Sequence, residues 1–369
     1  MQPRSLMSPP LRIRREAVYK GLLIGLASRM LLFLTVLIGL TTADTLPQGI
    51  SQEFPDHLWL DGWVRWDSGW YGSIAENGYI EPEDIRQGEM RNTAFLPLYP
   101  MLMRVLAPAT GGPFVAGLLI SNLSFLIALV LLWTLIEFKF DRAVATKTII
   151  LTAFNPYSLF FSSVYTESLV LALVVGAFFF AERSQWVPAS LLAGLAAATR
   201  VTGIFACLAL MILYLRRNRS RKEILRRRTW ALALCFVPLL IHLVFLYQRY
   251  GTPFEFVGAQ YEGWGRTELY IPTTSTEWRQ FLFLLVALVF SAGAVPAMGP
   301  AYGAWAILTS LSAWFKWTSG GRLVLVVFPA TAMLAKALRS NLLFGGVLAY
   351  YLYYMVRLAH RFAQGQWVA

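Results

Sequence analysis

Residues 21–42 read GLLIGLASRMLLFLTVLIGLTT, an apolar run interrupted by one charge, Arg29. A helix needs about 20 such residues to cross ~30 Å of hydrocarbon. The run is too long for the core of a cleavable signal, and no clear small-residue cleavage site follows it, so it is expected to remain as a signal anchor. Arg29 lies about a third of the way in, from where a long side chain is expected to snorkel to the inner surface. Comparable runs, bounded by charge, proline or glycine, recur through the 369 residues, which are 57% hydrophobic and 14% charged. That balance excludes a soluble domain and predicts an all-α polytopic membrane protein with one membrane domain, residues 1–369.

The net charge of +12 invites a nucleic-acid reading. The bases, however, flank apolar runs, as positive-inside topology requires, and no nucleic-acid partner is expected. Arg4, Arg12, Arg14, Arg15 and Lys20 precede the first span, which puts residues 1–20 in the cytoplasm, and Arg216 to Arg228 form a second basic segment. Residues 43–113 make a first outer loop, acid-rich and without lysine up to Thr93. Cys207 and Cys235 both fall in apolar runs, where they serve packing rather than a disulfide or zinc framework.

Reading on, Ala94–Ala107 is apolar but short, with Pro97 and Pro100 near its start. It is expected to be an interfacial or re-entrant helix, because a full crossing there would export Lys139, Arg142 and Lys147. The apolar stretch Val187–Tyr214 as a single helix would likewise place the second basic segment outside. A break at Thr199–Gly203, TRVTG, divides it and leaves Arg200 on the outer side. With a second outer loop at residues 249–279, about eleven crossings follow, with the C-terminus outside.

The outer loop contains Trp59–Tyr79, WLDGWVRWDSGWYGSIAENGY. A helix over Asp61–Glu76 would line up Trp63, Trp66, Asp67, Trp70, Tyr71 and Ile74 on one face, and Arg65 on the other. An unpaired carboxylate on an aromatic face costs several kcal/mol, so Asp67 needs a partner or a task. The same outer level receives the Asn155–Glu167 turn with Tyr165, Arg200, and Lys316 with Arg322 around WTSGG. An arginine fork suits a phosphate, and a carboxylate within reach of a hydroxyl suits general-base work. Trp66, Trp70 and Tyr71 either stack on a sugar or anchor the loop at the lipid surface. The duller roles are equally physical: Glu167 favouring a helix dipole, Asn155-Pro156 breaking a helix. A flippase for lipid-linked saccharides would use these charges to line a path, and a non-catalytic scaffold of an envelope-synthesis complex would keep Asp67 out of reach of any cavity.

The segments RWDSGWYGSIAENGY, TAFLPLYPMLMRVLAP, AFNPYSLFFSSVYTESL and AAATRVTGI, in this order, resemble bacterial relatives of the GPI mannosyltransferase II (PIG-V) family, integral-membrane glycosyltransferases of the class-C (GT-C) fold. The resemblance runs from about Gly21 to Gly203, and SGGRLVLVVFPA is similar to the family's arginine-bearing late helix. It implies a polyprenyl-phosphate-linked sugar donor and a lipid-linked or cell-envelope glycan acceptor. It also implies inversion at the anomeric carbon, and a site facing outward from a bacterial plasma membrane. By that resemblance Asp67 is the catalytic base and Arg200 and Arg322 hold the donor phosphate; the outer charge Lys316 is expected to join them. Trp66, Trp70, Tyr71, Asn155, Tyr165 and Glu167 line the substrate site, and neither metal nor cofactor is expected. The motif at Arg200 reads TRVTG where the family more usually has an Arg-Ser-Asn-Gly type, and the eukaryotic acceptor does not carry over to bacteria.

Overall fold

The computed structural model describes residues 11–42, 54, 57–218, 229–264, 272–314 and 319–368. Among these the regular structure is helical, with no strand. In chain order the main helices are α1 (Arg15–Thr41), α2 (Asp67–Asn77), α3 (Leu98–Thr110), α4 (Pro113–Lys139), α5 (Arg142–Ala153), α6 (Glu167–Glu182) and α7 (Trp186–Thr199). They continue with α8 (Ile204–Arg217), α9 (Val237–Tyr250), α10 (Glu255–Glu262), α11 (Ser275–Met298), α12 (Pro300–Ser312), α13 (Phe328–Ala337) and α14 (Asn341–Ala363). Four of them, α1, α4, α11 and α14, are long and apolar enough to cross a membrane by themselves. This is an integral membrane protein.

Local chemistry sets several boundaries. Asp141 caps α5 by accepting from Val144 N at 2.9 Å, and Thr274 with Glu277 forms a reciprocal capping box on α11. Helix α3 starts at Leu98, with Pro97 just before it and Pro100 in its first turn, and its 13 residues make about 20 Å of helix, short of a full crossing. Lipid supplies no hydrophobic drive between helices, so small residues let backbones approach. Ala189, Ala193, Ala196 and Ala197 of α7, all at 0% exposure, do this against α8 and its neighbours.

The break expected at Thr199–Gly203 is present. Helix α7 stops at Thr199, Arg200 is extended (φ −154°, ψ 139°), and a short 3-10 turn leads into α8. A methyl group on Gly203 would lie 2.2 Å from the Ala196 backbone, so only glycine lets the hairpin close this tightly.

Two sequence expectations are corrected. The aromatic segment is not one helix from Asp61 to Glu76. A short turn, Leu58–Asp61, is followed by an irregular stretch, and α2 begins at Asp67. The cause is Arg65, expected on the polar face but buried; its side chain pairs with the Asp61 carboxylate and donates to the carbonyls of Asp61 (2.8 Å) and Val64 (3.0 Å). Those carbonyls therefore bind a side chain within the chain's own turn. Nor does Arg29 snorkel. It turns inward, donating to Ser158 O at 3.2 Å, Ser162 Oγ at 3.0 Å and Ala153 O at 3.3 Å, with its guanidinium over the Phe125 ring. A turn that exposes carbonyls inside the bundle offers it more than the distant surface does.

The bundle has two unlike ends. At one, Arg14 pairs with Glu137, Arg142 with Glu16 and Glu137, and Lys139 and Arg217 with Glu182. At the other lie the start of α2, the 155–166 turn, Arg200 and the 320–323 turn. Helix α6 runs between them, its 16 residues spanning about 24 Å. At this second end Trp367 meets Trp66 edge to face at 5.4 Å.

Candidate active site

Asp67 is the first residue of α2, where the helix dipole favours a carboxylate. Trp66 before it has φ 58° and ψ −117°, an unusual conformation for a residue with a side chain. Surrounding bonds hold it there. Asp67 N donates to Tyr165 Oη at 3.2 Å, Tyr165 Oη donates to Arg65 O at 3.0 Å, and Ser68 Oγ donates to Val164 O at 3.2 Å. The first outer loop is thus strapped to the 155–166 turn. Burial pushes the Tyr165 phenol well up, with the Asp67 charge adding to it, so it stays a donor.

The carboxylate of Asp67 has a partner. Arg322 Nη2 lies 2.8 Å from Asp67 Oδ2, and Arg322 Nε lies 2.9 Å from Glu167 Oε1. Arg200 Nη1 reaches the same Glu167 oxygen at 2.9 Å. Two acids and two arginines therefore form one chain, Asp67–Arg322–Glu167–Arg200. Glu167 is fully buried, whereas Arg200 keeps 15% of its side chain exposed. The acid braces and the arginines present.

Arg322 owes its position to its neighbours. A methyl on Gly321 would lie 2.1 Å from the Tyr157 ring, so glycine lets the turn press onto that ring. Gln280 Oε1 accepts from Gly321 N at 2.6 Å. The guanidinium faces the Tyr165 ring at 4.9 Å and Trp367 at 5.8 Å.

Asp67, Tyr71, Arg200 and Arg322 line one cavity of about 290 Å³, closed on its far side by Phe256, Gln260 and Trp264 from α10 and the residues after it. Of the residues expected at the site, these four line that cavity, with Tyr165 and Glu167 directly behind. Trp70 stacks on Phe95 at 6.1 Å and meets Trp264 edge-on at 6.0 Å, so it supports the wall. Trp66 faces Trp367 outside the cavity. Asn155 is a turn-former, its Oδ1 accepting from Tyr157 N at 3.0 Å. Lys316 lies outside the described residues. Burial, together with the Glu167 and Asp67 charges, pushes the Tyr71 phenol up and keeps it protonated.

Sequence reasoning passed over α10. Its sole signal was an aromatic, glycine-rich second outer loop, yet α10 is clasped to the first loop. Arg91 pairs with Glu255 at 2.7 Å and Glu262 at 2.9 Å, Thr93 Oγ1 donates to Glu255 at 3.1 Å, and Gln260 Nε2 donates to Ala94 O at 2.9 Å.

Comparison with known proteins bears on this arrangement. The family model described as "Mannosyltransferase (PIG-V)" matches residues 30–271. GPI mannosyltransferase 2 of Schizosaccharomyces pombe is 30% identical over 151 residues, 40% of this chain and 31% of that protein. The match therefore spans about a third of the curated relative's length. Among solved structures, ArnT from Cupriavidus metallidurans bound to undecaprenyl phosphate superposes with a TM-score of 0.54 at 15% identity, covering 88% of this chain and 61% of that one. Its apo form gives a TM-score of 0.51 at 16% identity over the same shares. At such identity the likeness is one of fold alone.

Proposed function

The chain belongs to the mannosyltransferase (PIG-V) family, and from that premise we propose that it is a membrane glycosyltransferase transferring a hexose, mannose, from a polyprenyl phosphate to a hydroxyl of a lipid-linked or cell-envelope acceptor. The single observation that carries the proposal is the shared cavity of Asp67, Arg200 and Arg322. It gathers a base and a phosphate-binding pair from three distant parts of the chain. ArnT, whose fold the chain shares, was solved with undecaprenyl phosphate, and two arginine forks are suited to such a group.

The transfer is a single displacement. The acceptor oxygen attacks the anomeric carbon, the bond from that carbon to the phosphate oxygen breaks, and the hydroxyl proton passes to Asp67. Arg200 and Arg322 take up the negative charge developing on the leaving phosphate. Attack from the side opposite the phosphate inverts the anomeric centre, which requires base and arginines to flank the sugar. In the empty site Arg322 is shared between Asp67 and Glu167. An arriving phosphate competes with Asp67 for that guanidinium, which leaves the Asp67 oxygen facing the acceptor. Glu167 stays in place and holds both arginines. Phe95, Phe256, Tyr71 and Trp264 supply an apolar, aromatic surface for the hexose.

In a bacterial cell the basic end faces the cytoplasm and the cavity faces outward from the plasma membrane, following the charge distribution. Asp67 lines the cavity, which supports an enzyme over a scaffold. Arg29 is bound to backbone and serines, which takes that charge out of a flippase path. The test is to incubate purified protein with polyprenyl-phosphate mannose and an envelope lipid extract. A mannosylated product is expected, and Asp67→Asn is expected to slow its formation by about 10²-fold or more. Undiminished transfer by a correctly inserted Asp67→Asn protein would falsify the base assignment.

A further inference from the structure

Residues 364–368, which follow α14, form a built turn against the site. Gly365 has φ 77°, a left-handed conformation that glycine adopts without strain. Its N donates to Phe362 O at 2.9 Å, and Gln366 N donates to Arg361 O at 3.0 Å. These two bonds make the Schellman ending of a helix, which reverses the chain and satisfies the last carbonyls. Arg361 Nε adds a bond to Gln366 Oε1 at 2.7 Å. Val368, three residues past the glycine, is only 3% exposed.

Two contacts tie this turn to the site. Gln280 of α11, 1% exposed, accepts from Gly321 N at 2.6 Å through Oε1 and donates to Val368 O at 3.3 Å through Nε2. A backbone N–H at one end of the amide and a backbone carbonyl at the other fix its orientation. Gln280 therefore bridges the turn that carries Arg322 and the segment after α14. The second contact is Trp367. Its ring lies 5.8 Å from the Arg322 guanidinium and meets Trp66, the neighbour of Asp67, at 5.4 Å. One indole thus touches both sides of the Asp67–Arg322 pair.

The guanidinium of Arg322 has three rings about it, Tyr165 at 4.9 Å, Phe160 at 5.3 Å and Trp367 at 5.8 Å. The first two are fully buried and belong to the core, whereas Trp367 is 38% exposed. In the empty site Asp67 and Glu167 already fix the guanidinium, so the outer ring adds little. The balance changes when a donor phosphate takes Nη2 from Asp67. Nε stays on Glu167, and the plane of the fork then depends on the rings and on the turn beneath it.

We infer that residues 364–368 clamp the donor-binding arginine, with Trp367 and Gln280 as positioning residues that hold Arg322 in place once Asp67 has released it. Neither touches the reacting atoms. Their role in donor binding rests on the glycosyltransferase assignment.

The test uses purified full-length protein with polyprenyl-phosphate mannose and an envelope lipid extract, and separately measures binding of polyprenyl phosphate by titration in native mass spectrometry. Trp367→Leu is expected to raise the donor KM and the Kd for polyprenyl phosphate about two- to tenfold, the range of one cation–π contact. Its kcat is expected to stay within about twofold of wild type, and the melting temperature of the empty protein to stay unchanged, because two carboxylates hold Arg322 there. Trp367→Phe keeps an aromatic face and is expected to recover most of the loss. Gln280→Met removes both amide bonds and is expected to raise the donor KM as well. The double variant is expected to raise it no further than the larger single change, since both act on one guanidinium. If Gln280→Met fails to fold, the two Trp367 variants decide alone. An unchanged KM and Kd in Trp367→Leu, or a Phe variant as weak as the Leu variant, overturns the clamp. So does a lowered melting temperature without any change in donor affinity, which makes the contact mere packing. A wild type that binds and transfers while Trp367→Leu matches it defeats the clamp alone. Binding that weakens in Trp367→Leu, with no transfer by wild type, defeats the enzyme alone, and a wild type that neither binds nor transfers defeats both.

Discussion

Asp67 is a residue whose anomaly is visible in the sequence and whose resolution lies elsewhere in the chain. An acid among tryptophans announces a missing partner, and the partner is Arg322 at 2.8 Å. Glu167 is the opposite case. At the start of an apolar helix it has an ordinary explanation in the dipole, yet it is buried beneath both arginines and shares one oxygen between them. Removing its charge leaves the half-buried Arg200 without its carboxylate and the buried Arg322 with Asp67 alone, and breaking a buried ion pair costs about 3–5 kcal/mol. Glu167→Gln is therefore expected to lower the melting temperature and to raise the donor KM more than it lowers kcat. Both quantities unchanged would show that the arginines hold their places without it. A helix wheel puts Arg65 on the polar face, but a wheel assigns faces only where a helix exists, and the Asp61–Arg65 pair ends the helix that the wheel assumes.

Among elements, α10 has the least support from its own sequence and the clearest position. Eight residues do not make a stable helix in isolation. It persists because Arg91 bridges Glu255 and Glu262 and Gln260 bonds the Ala94 carbonyl. Arg91→Ala removes both ion pairs but touches none of the long helices. We expect hydrogen exchange in residues 255–264 to rise and kcat/KM for transfer to fall about tenfold or more, with little change in overall melting. Unaltered exchange in that segment would mean that α10 is held by other contacts. The α7–α8 hairpin is different, because its break was legible from charge alone. The positive-inside rule expects the basic segment after α8 on the cytoplasmic side, and a single long helix would have carried it across.

For the whole molecule, the two ends of the bundle carry the functional division: ion pairs rich in lysine and arginine at one, the cavity chemistry at the other, about 24 Å away along α6. The proposed orientation rests on that asymmetry and is open to direct measurement. Cys207 and Cys235 are both buried, so the native protein is expected to be silent to a membrane-impermeant maleimide. In intact cells Gln87→Cys, on the cavity side, is expected to label, and Gln185→Cys, beside Glu182 at the basic end, only after permeabilisation. The reverse pattern would turn the protein over in the membrane. What the sequence determined by itself was the part written in local and periodic terms: apolar runs of membrane length, the sidedness of bases and acids, the break at TRVTG, and the suspicion attached to Asp67 and Arg322. What only the tertiary structure decided was pairing. Arg29 turns inward because the 153–162 turn offers it carbonyls, and Asp67 shares Arg322 with Glu167. Beside them α10 lines the cavity. Hydropathy and charge act through the average environment at a given depth, which a linear chain records. A hydrogen bond or ion pair acts over about 3 Å, and which groups come that close is fixed only when distant helices pack.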